Sequence, residues 1–163
     1  MGSTGPTGPA SFTPDFASIA IGYGTSGVTV AQNAAIPFAT ANPTASGTNI
    51  SVTSGTIEIG TTGYYQITWG VSPAPSLGQY SLQLNGTTVA FGPNLAVIDY
   101  NTSGLMSADT TMISQTIIAV VDTPNSSLQV INSSNTSLTL QTGSGSMSNN
   151  APVAFVTIVK ISN

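Results

Sequence analysis

From Tyr64 to Ser72 the chain alternates with a period of two. Tyr65, Ile67, Trp69 and Val71 fall on one face, and Tyr64, Gln66, Thr68 and Gly70 on the other. That pattern predicts a strand with one side in a core, opened by Gly63 and closed by Pro73-Ala74-Pro75. Thr56–Ile59 before it carries Ile57 and Ile59 inward and Glu58 outward. After it, Gln79–Leu84 places Tyr80, Leu82 and Leu84 in step. Asn85-Gly86 then leads into a second extended run, Thr87–Phe91; both turn residues tolerate positive φ, so this is a hairpin. Further strands are predicted at Met112–Val121, Leu128–Ile131, Leu138–Leu140 and Val153–Ile161, with a shorter one at Leu95–Ile98. Pro93–Ala108 and Gly143–Asn150 read as loops, and no stretch carries an amphipathic helical period. Short strands separated by Gly, Asn, Ser and Pro clusters define an all-β class, a sandwich or barrel.

Two strands depart from simple alternation. In Val153–Ile161 one face holds Val153, Phe155, Val159 and Ile161, while the other holds Ala154, Val156 and Ile158. In the second half of Met112–Val121, Ile117 to Val121 is apolar on both faces. A strand covered on one side only should alternate, so a neighbouring subunit is expected over one face. The assignment made from sequence puts Tyr64, Ile117, Ala119, Val121, Ala154, Val156 and Ile158 at that interface. It puts Tyr65, Ile67, Trp69, Val71, Leu82, Leu84, Phe155 and Val159 in the core.

Composition narrows the chemistry. Of 163 residues only 4% are charged, against a usual share of roughly 25%. The charges are Asp15, Glu58, Asp99, Asp109, Asp122 and Lys160; His, Cys and Arg are absent. There is no Ser-His-Asp triad, no thiol nucleophile, no disulfide and no ordinary zinc or haem ligand set. No basic patch exists for phosphate or nucleic acid, and no apolar run approaches a membrane span. The expectation is a protein without enzymatic activity, cofactor, metal, nucleic-acid partner or membrane insertion.

The opening residues add a second period. Gly2, Gly5 and Gly8 recur every third place, with Pro6 and Pro9 behind two of them. Only glycine fits the crowded axis of a collagen triple helix, so residues 1–10 read as a collagen-like stub, too short to hold a triple helix alone. The expected organisation is that stub, a lead-in segment over 11–35 packed on the head, and a head over 36–163. A start within collagen-like repeats carries the expectation that any targeting or anchoring segment lies upstream.

Gly63-Tyr64-Tyr65-Gln66-Ile67, the hairpin Leu82-Gln83-Leu84-Asn85-Gly86-Thr87-Thr88-Val89 and the closing Ala154-Phe155-Val156-Thr157-Ile158-Val159-Lys160 follow the stub in order. Together they resemble the C-terminal domain of the BclA-type collagen-like exosporium glycoproteins of Bacillus and relatives, over most of 36–161. The resemblance implies an antiparallel jelly-roll sandwich, homotrimeric like the heads of tumour necrosis factor (TNF) and the complement collagen-like proteins. It also implies a role: the head registers a collagen-like filament and forms its exposed tip on the spore surface. Implied partners are two further copies, the upstream collagen-like region, and host surfaces or other spore-coat proteins. Such proteins carry a separate N-terminal anchoring motif, which is not in this chain. The alternative is a trimeric receptor-binding or adhesive fibre tip, such as a phage tail fibre, reading its target with loops such as Ser72–Gly78 or Gly143–Asn150.

Individual candidates are modest. Asp99 and Asp109 share one loop region without an Asp-x-Asp pattern, which argues against calcium. Lys160 is the single lysine. It could form an isopeptide bond to an Asn with Glu58 as proton relay; the plainer expectation is an exposed lysine near the chain end. Asn-x-Ser/Thr sequons at Asn49, Asn85, Asn101, Asn125, Asn132 and Asn135 follow from composition, and Thr4 and Thr7 are O-glycan candidates by resemblance only. With no histidine, fold and assembly are expected to respond little to pH near neutrality.

Overall fold

A computed structural model describes residues 15–22, 28–38, 44–46, 49–71, 79–89, 113–140 and 152–163. The collagen-like stub, the loops 72–78, 93–108 and 143–150, and with them Asp99 and Asp109, lie outside the described residues.

The described elements are all strands: β1 (Phe16–Gly22), β2 (Thr29–Val30), β3 (Thr44–Ser46), β4 (Ile50–Thr53), β5 (Thr56–Ile59), β6 (Gly63–Val71), β7 (Tyr80–Leu84), β8 (Thr87–Thr88), β9 (Ile113–Val121), β10 (Ser126–Asn132), β11 (Leu138–Thr139) and β12 (Pro152–Ser162). They form two five-stranded sheets, ordered β3-β1-β12-β6-β9 and β4-β5-β10-β7-β8, with β2 and β11 as a small two-stranded sheet. Every pairing is antiparallel. Neighbours in space are distant in sequence, as in β1 beside β12 and β5 beside β10. This is the crossed connectivity of a jelly roll.

Two turns show how local chemistry sets register. Asn85 and Gly86 take φ of 51° and 74°, closing the β7–β8 hairpin. Ser54 and Gly55 take φ of 48° and 83° between β4 and β5. A Cβ on Gly55 would meet the Ile36 carbonyl oxygen at 2.8 Å, so only glycine lets the turn press on the segment beneath it.

The core lies between the sheets. Ile19, Tyr65, Ile67, Val71, Val156 and Ile158 from the first sheet meet Ile57, Ile59, Leu128 and Val130 from the second, all fully buried, with Trp69 and Leu82 nearly so. Each inward side chain comes from alternate positions, which is the reason β6 alternates in sequence. Ile36 and Phe38 are fully buried as well.

The lead-in segment 11–35 was expected to pack on the head, with no strand assigned to it. There, β1 enters the first sheet between β3 and β12, with Ala17, Ile19 and Ile21 inward. The head therefore includes strand residues ahead of the expected boundary at residue 36. Phe16 and Ala20 on the opposite face are apolar too, so the segment carries no alternation to read.

The assignment of faces needs correction. Ile117, Ala119, Val121, Ala154, Val156 and Ile158, expected at a subunit interface, are all buried inside this chain's own sandwich. The physical reason is register: Ile158 stands opposite Ile67 and Val156 opposite Trp69, so these positions share the inward parity of β6. Conversely, Val159, expected in the core, is 36% exposed on the outer face, and Phe155 on the same parity is half-buried. Leu84 is half-buried near the β7–β8 turn. Both faces of β12 are apolar, so its sequence alone does not say which one is inside. For β9 a signal was present: Ser114 and Thr116 share parity with Ile118 and Val120 and mark that face as outer.

Candidate functional site

The outer faces of the two sheets differ in chemistry. On the second sheet Ser51, Thr53 and Glu58 are exposed, and Gln129 donates to Thr56 Oγ1 at 2.9 Å across the strands. That is an ordinary solvated surface. On the first sheet the exposed large side chains are mostly apolar: Phe16, Tyr64, Ile118, Val120 and Val159, with Ile161 following at the end of β12 and Gln66 the polar exception.

Register arranges this face in rows. One row runs Phe16, Val159, Gln66, Ile118 across β1, β12, β6 and β9. Beside it Tyr64 stands opposite Val120, which is 54% exposed. The next row is entirely hydroxylic: Ser18, Thr157, Thr68 and Thr116, with the Thr68 and Thr116 hydroxyls hydrogen-bonded at 2.8 Å. A third row holds Ala20, Phe155, Gly70 and Ser114. The face thus has an apolar end and a hydroxyl-bearing middle, and the rows named here carry no charged residue. Fully burying a large apolar side chain is worth roughly 1.5–3 kcal/mol, so half-exposed residues such as these each leave about 1 kcal/mol to be gained by covering them. The contiguous grouping marks an interaction surface.

Of the residues assigned to an interface from sequence, only Tyr64 lies on this face, 47% exposed. Ile118, Val120, Val159 and Ile161 were missed because parity was assigned to the wrong side of β9 and β12, and Phe16 because β1 carries no alternation to read.

Lys160 is not the exposed terminal lysine expected: it is buried, with Nζ 3.4 Å from Thr61 Oγ1 and 6.0 Å from the centre of the Tyr65 ring. Glu58, the proposed relay, is exposed on the outer face of the other sheet. Trp69 is 2% exposed within the core. Among the described residues, no three His, Cys, Asp or Glu side chains converge as a metal site would require.

No family model matches this sequence, and no curated protein matches it either. Solved structures do. The chain is similar to Eiger TNF from S. frugiperda at a TM-score of 0.54 and 16% identity, covering 91% of this chain and 94% of that one. It is similar to murine APRIL at a TM-score of 0.51 and 9% identity, covering 91% and 100%. It is also similar to the PRD1 vertex protein P5 at a TM-score of 0.50 and 20% identity, covering 90% and 96%. At these identities the likeness is one of fold: the domain is a TNF-like jelly roll.

Proposed function

We propose that this domain is a homotrimeric head whose first sheet, β3-β1-β12-β6-β9, packs against two further copies. The observation that carries this reading is the apolar outer face of that sheet, set against the polar outer face of its partner. The Gly-X-Y stub supports it independently, since a collagen helix needs three chains. So does the trimeric arrangement implied by the resemblance to collagen-linked heads.

The head's work is structural. Three collagen-like strands must come into register before a triple helix grows, and a trimeric head supplies the local concentration for it. No catalysis, cofactor or metal enters this role. The particular setting that fits is the spore exosporium, with the head at the exposed tip of a collagen-like filament. Partners there are its own copies, the upstream repeats, and host or spore-coat surfaces. A second reading, an adhesive or receptor-binding fibre tip, is favoured by the fold likeness to PRD1 vertex protein P5.

Sedimentation of residues 11–163 tests the core of the proposal. A mass three times that of the chain supports it, and a monomer at micromolar concentration overturns it. Immunogold labelling separates the two settings: signal on the spore surface supports the first reading, and signal on a phage or cell-surface fibre supports the second.

A further inference from the structure

Among the described residues, the large apolar side chains left exposed all lie at one end of the first sheet. Phe16, Val159 and Ile118 share one row, and Tyr64 and Val120 the next, with Ile161 on the rim. The register of β12 on β6 slips between Lys160 and Ser162, so Ile161 is an extra residue in its strand. Bulges of this kind re-aim a side chain at the rim of a sheet. Away from this end the face changes. The hydroxyl row follows, and then the third row, where Ala20, Gly70 and Ser114 are small and Phe155 is half-buried. From Val120 to Ser114 along β9 is about 20 Å. The two charges nearest the apolar end point the other way. Asp15 precedes Phe16, and Lys160 lies between Val159 and Ile161, yet both are buried on the inner face. There Asp15 accepts Asn49 Nδ2 at 3.0 Å, and Lys160 Nζ donates to Thr61 Oγ1 at 3.4 Å. Neither charge reaches the outer face.

The same end is where the chain arrives from its Gly-X-Y residues. β1 opens at Phe16, and the repeat closes at Ala10, five residues before Asp15. Five residues reach at most about 18 Å. We propose that the head is held together from its stalk end: the apolar rows around Tyr64 and Val120 form a basal clamp between three copies, and the hydroxyl-bearing remainder of the face adds little to their association. This rests on the trimer reading and adds which end of the face holds the trimer. Covering apolar surface is favourable in proportion to its area. A hydroxyl only exchanges water for a protein partner, at small net gain, and the Thr68 and Thr116 hydroxyls already bond each other at 2.8 Å. The occupants of the clamp are two further copies, because a collagen helix needs three chains and its repeat ends within that short reach. Contact at this end holds the three arriving strands at high local concentration. Contact at the Ser114 end alone would leave the entry points free to splay.

The test is a matched pair of carboxylates in the full chain. Val120 and Ser114 share one strand and one face, and both are exposed, so an aspartate at either leaves the core alone. Sedimentation equilibrium over a concentration series reads trimer dissociation, with far-ultraviolet circular dichroism as the check on folding. Val120→Asp is expected to weaken the trimer by about 100-fold or more, because three carboxylates enter an apolar contact. Ser114→Asp is expected to weaken it by less than about 10-fold, its carboxylates remaining in water. Val120→Thr keeps the shape and removes apolarity; a weakening of about 10-fold is expected, and it decides the matter if Val120→Asp fails to fold. A wild-type monomer overturns the trimer reading and this inference with it. A wild-type trimer that Ser114→Asp dissociates as readily as Val120→Asp, or that both Val120 variants leave intact, overturns the basal clamp alone.

Discussion

Phe16 and Val159 stand directly opposite each other across the β1–β12 pair, on the outer side of the sheet, 40% and 36% exposed. Their neighbours one residue along, Ala17 and Ile158, form the matching pair inside, at 1% and 0%. One step along either strand separates the fold's core from its proposed assembly surface.

That step gives opposite outcomes for two adjacent substitutions. Val159→Asp is expected to leave the sandwich folded and the trimer dissociated, because three carboxylates would be forced into an apolar contact they can escape by separating. Ile158→Asp is expected to unfold the chain, since the carboxylate would be enclosed between Ile67, Ala17 and the second sheet. Sedimentation with far-ultraviolet circular dichroism distinguishes them. A trimer retained in Val159→Asp would place the interface elsewhere.

Much of the fold was legible because β5, β6, β7, β10 and their turns state one period and one set of breakers. β6 is the clearest case: its inward residues Tyr65, Ile67, Trp69 and Val71 are all buried. β1, β2, β3 and β4 were not read. β2, β3 and β4 are short, and β1 carries Phe16 and Ala20 on its outer face, with Ser18 its one polar residue. The site was half legible. That β9 and β12 are apolar on both faces follows from composition alone, but which face is inside depends on pairing with β6. Pairing is non-local, and a strand's side-chain parity reverses with a shift of one residue. Lys160 illustrates the same limit. Near the chain end it reads as solvated, yet its parity on β12 turns it inward beside Asp15, a contact between residues far apart in sequence.

Asn132 anchors the small sheet to the large one. Its Nδ2 donates to the carbonyls of Val30, Ala31 and Thr136, at 3.0, 3.2 and 2.9 Å, and its Oδ1 accepts the Ser134 N–H at 3.0 Å. Asn132→Ala leaves several buried backbone groups without partners, so a loss of about 2–4 kcal/mol is expected. Urea titration followed by Trp69 fluorescence measures it. A loss below about 1 kcal/mol would show that water replaces the amide.

Gly55→Ala is expected to cost about 1–3 kcal/mol, from the positive φ and from the contact with the Ile36 carbonyl. Gly86→Ala has a comparable φ of 74° but open space around it. Gly55→Ala should therefore be the more harmful of the two. Paired thermal melts decide the order, and equal losses would assign the whole effect to φ.

The last prediction concerns alkaline pH. Tyr80 is 3% exposed, and among the described residues its hydroxyl has no hydrogen-bond partner. Burial pushes its pKa up from 10.0 to about 12, because the phenolate would lose its water. A folded pKa above the unfolded one means that the stabilising contribution is complete below about pH 10. The unfolded chain then ionises first, and the contribution drains away as pH rises through about 12. A shift of this size corresponds to roughly 2–3 kcal/mol. Tyr80→Phe has no phenol to ionise. It is expected to flatten the stability profile between about pH 10 and 12 and, by removing an unpaired buried hydroxyl, to be neutral or stabilising by about 1 kcal/mol at pH 7. Chemical denaturation of both proteins across that range checks the sign. A variant that loses alkaline stability as steeply as the parent would transfer the effect to Tyr65, whose pKa burial also raises.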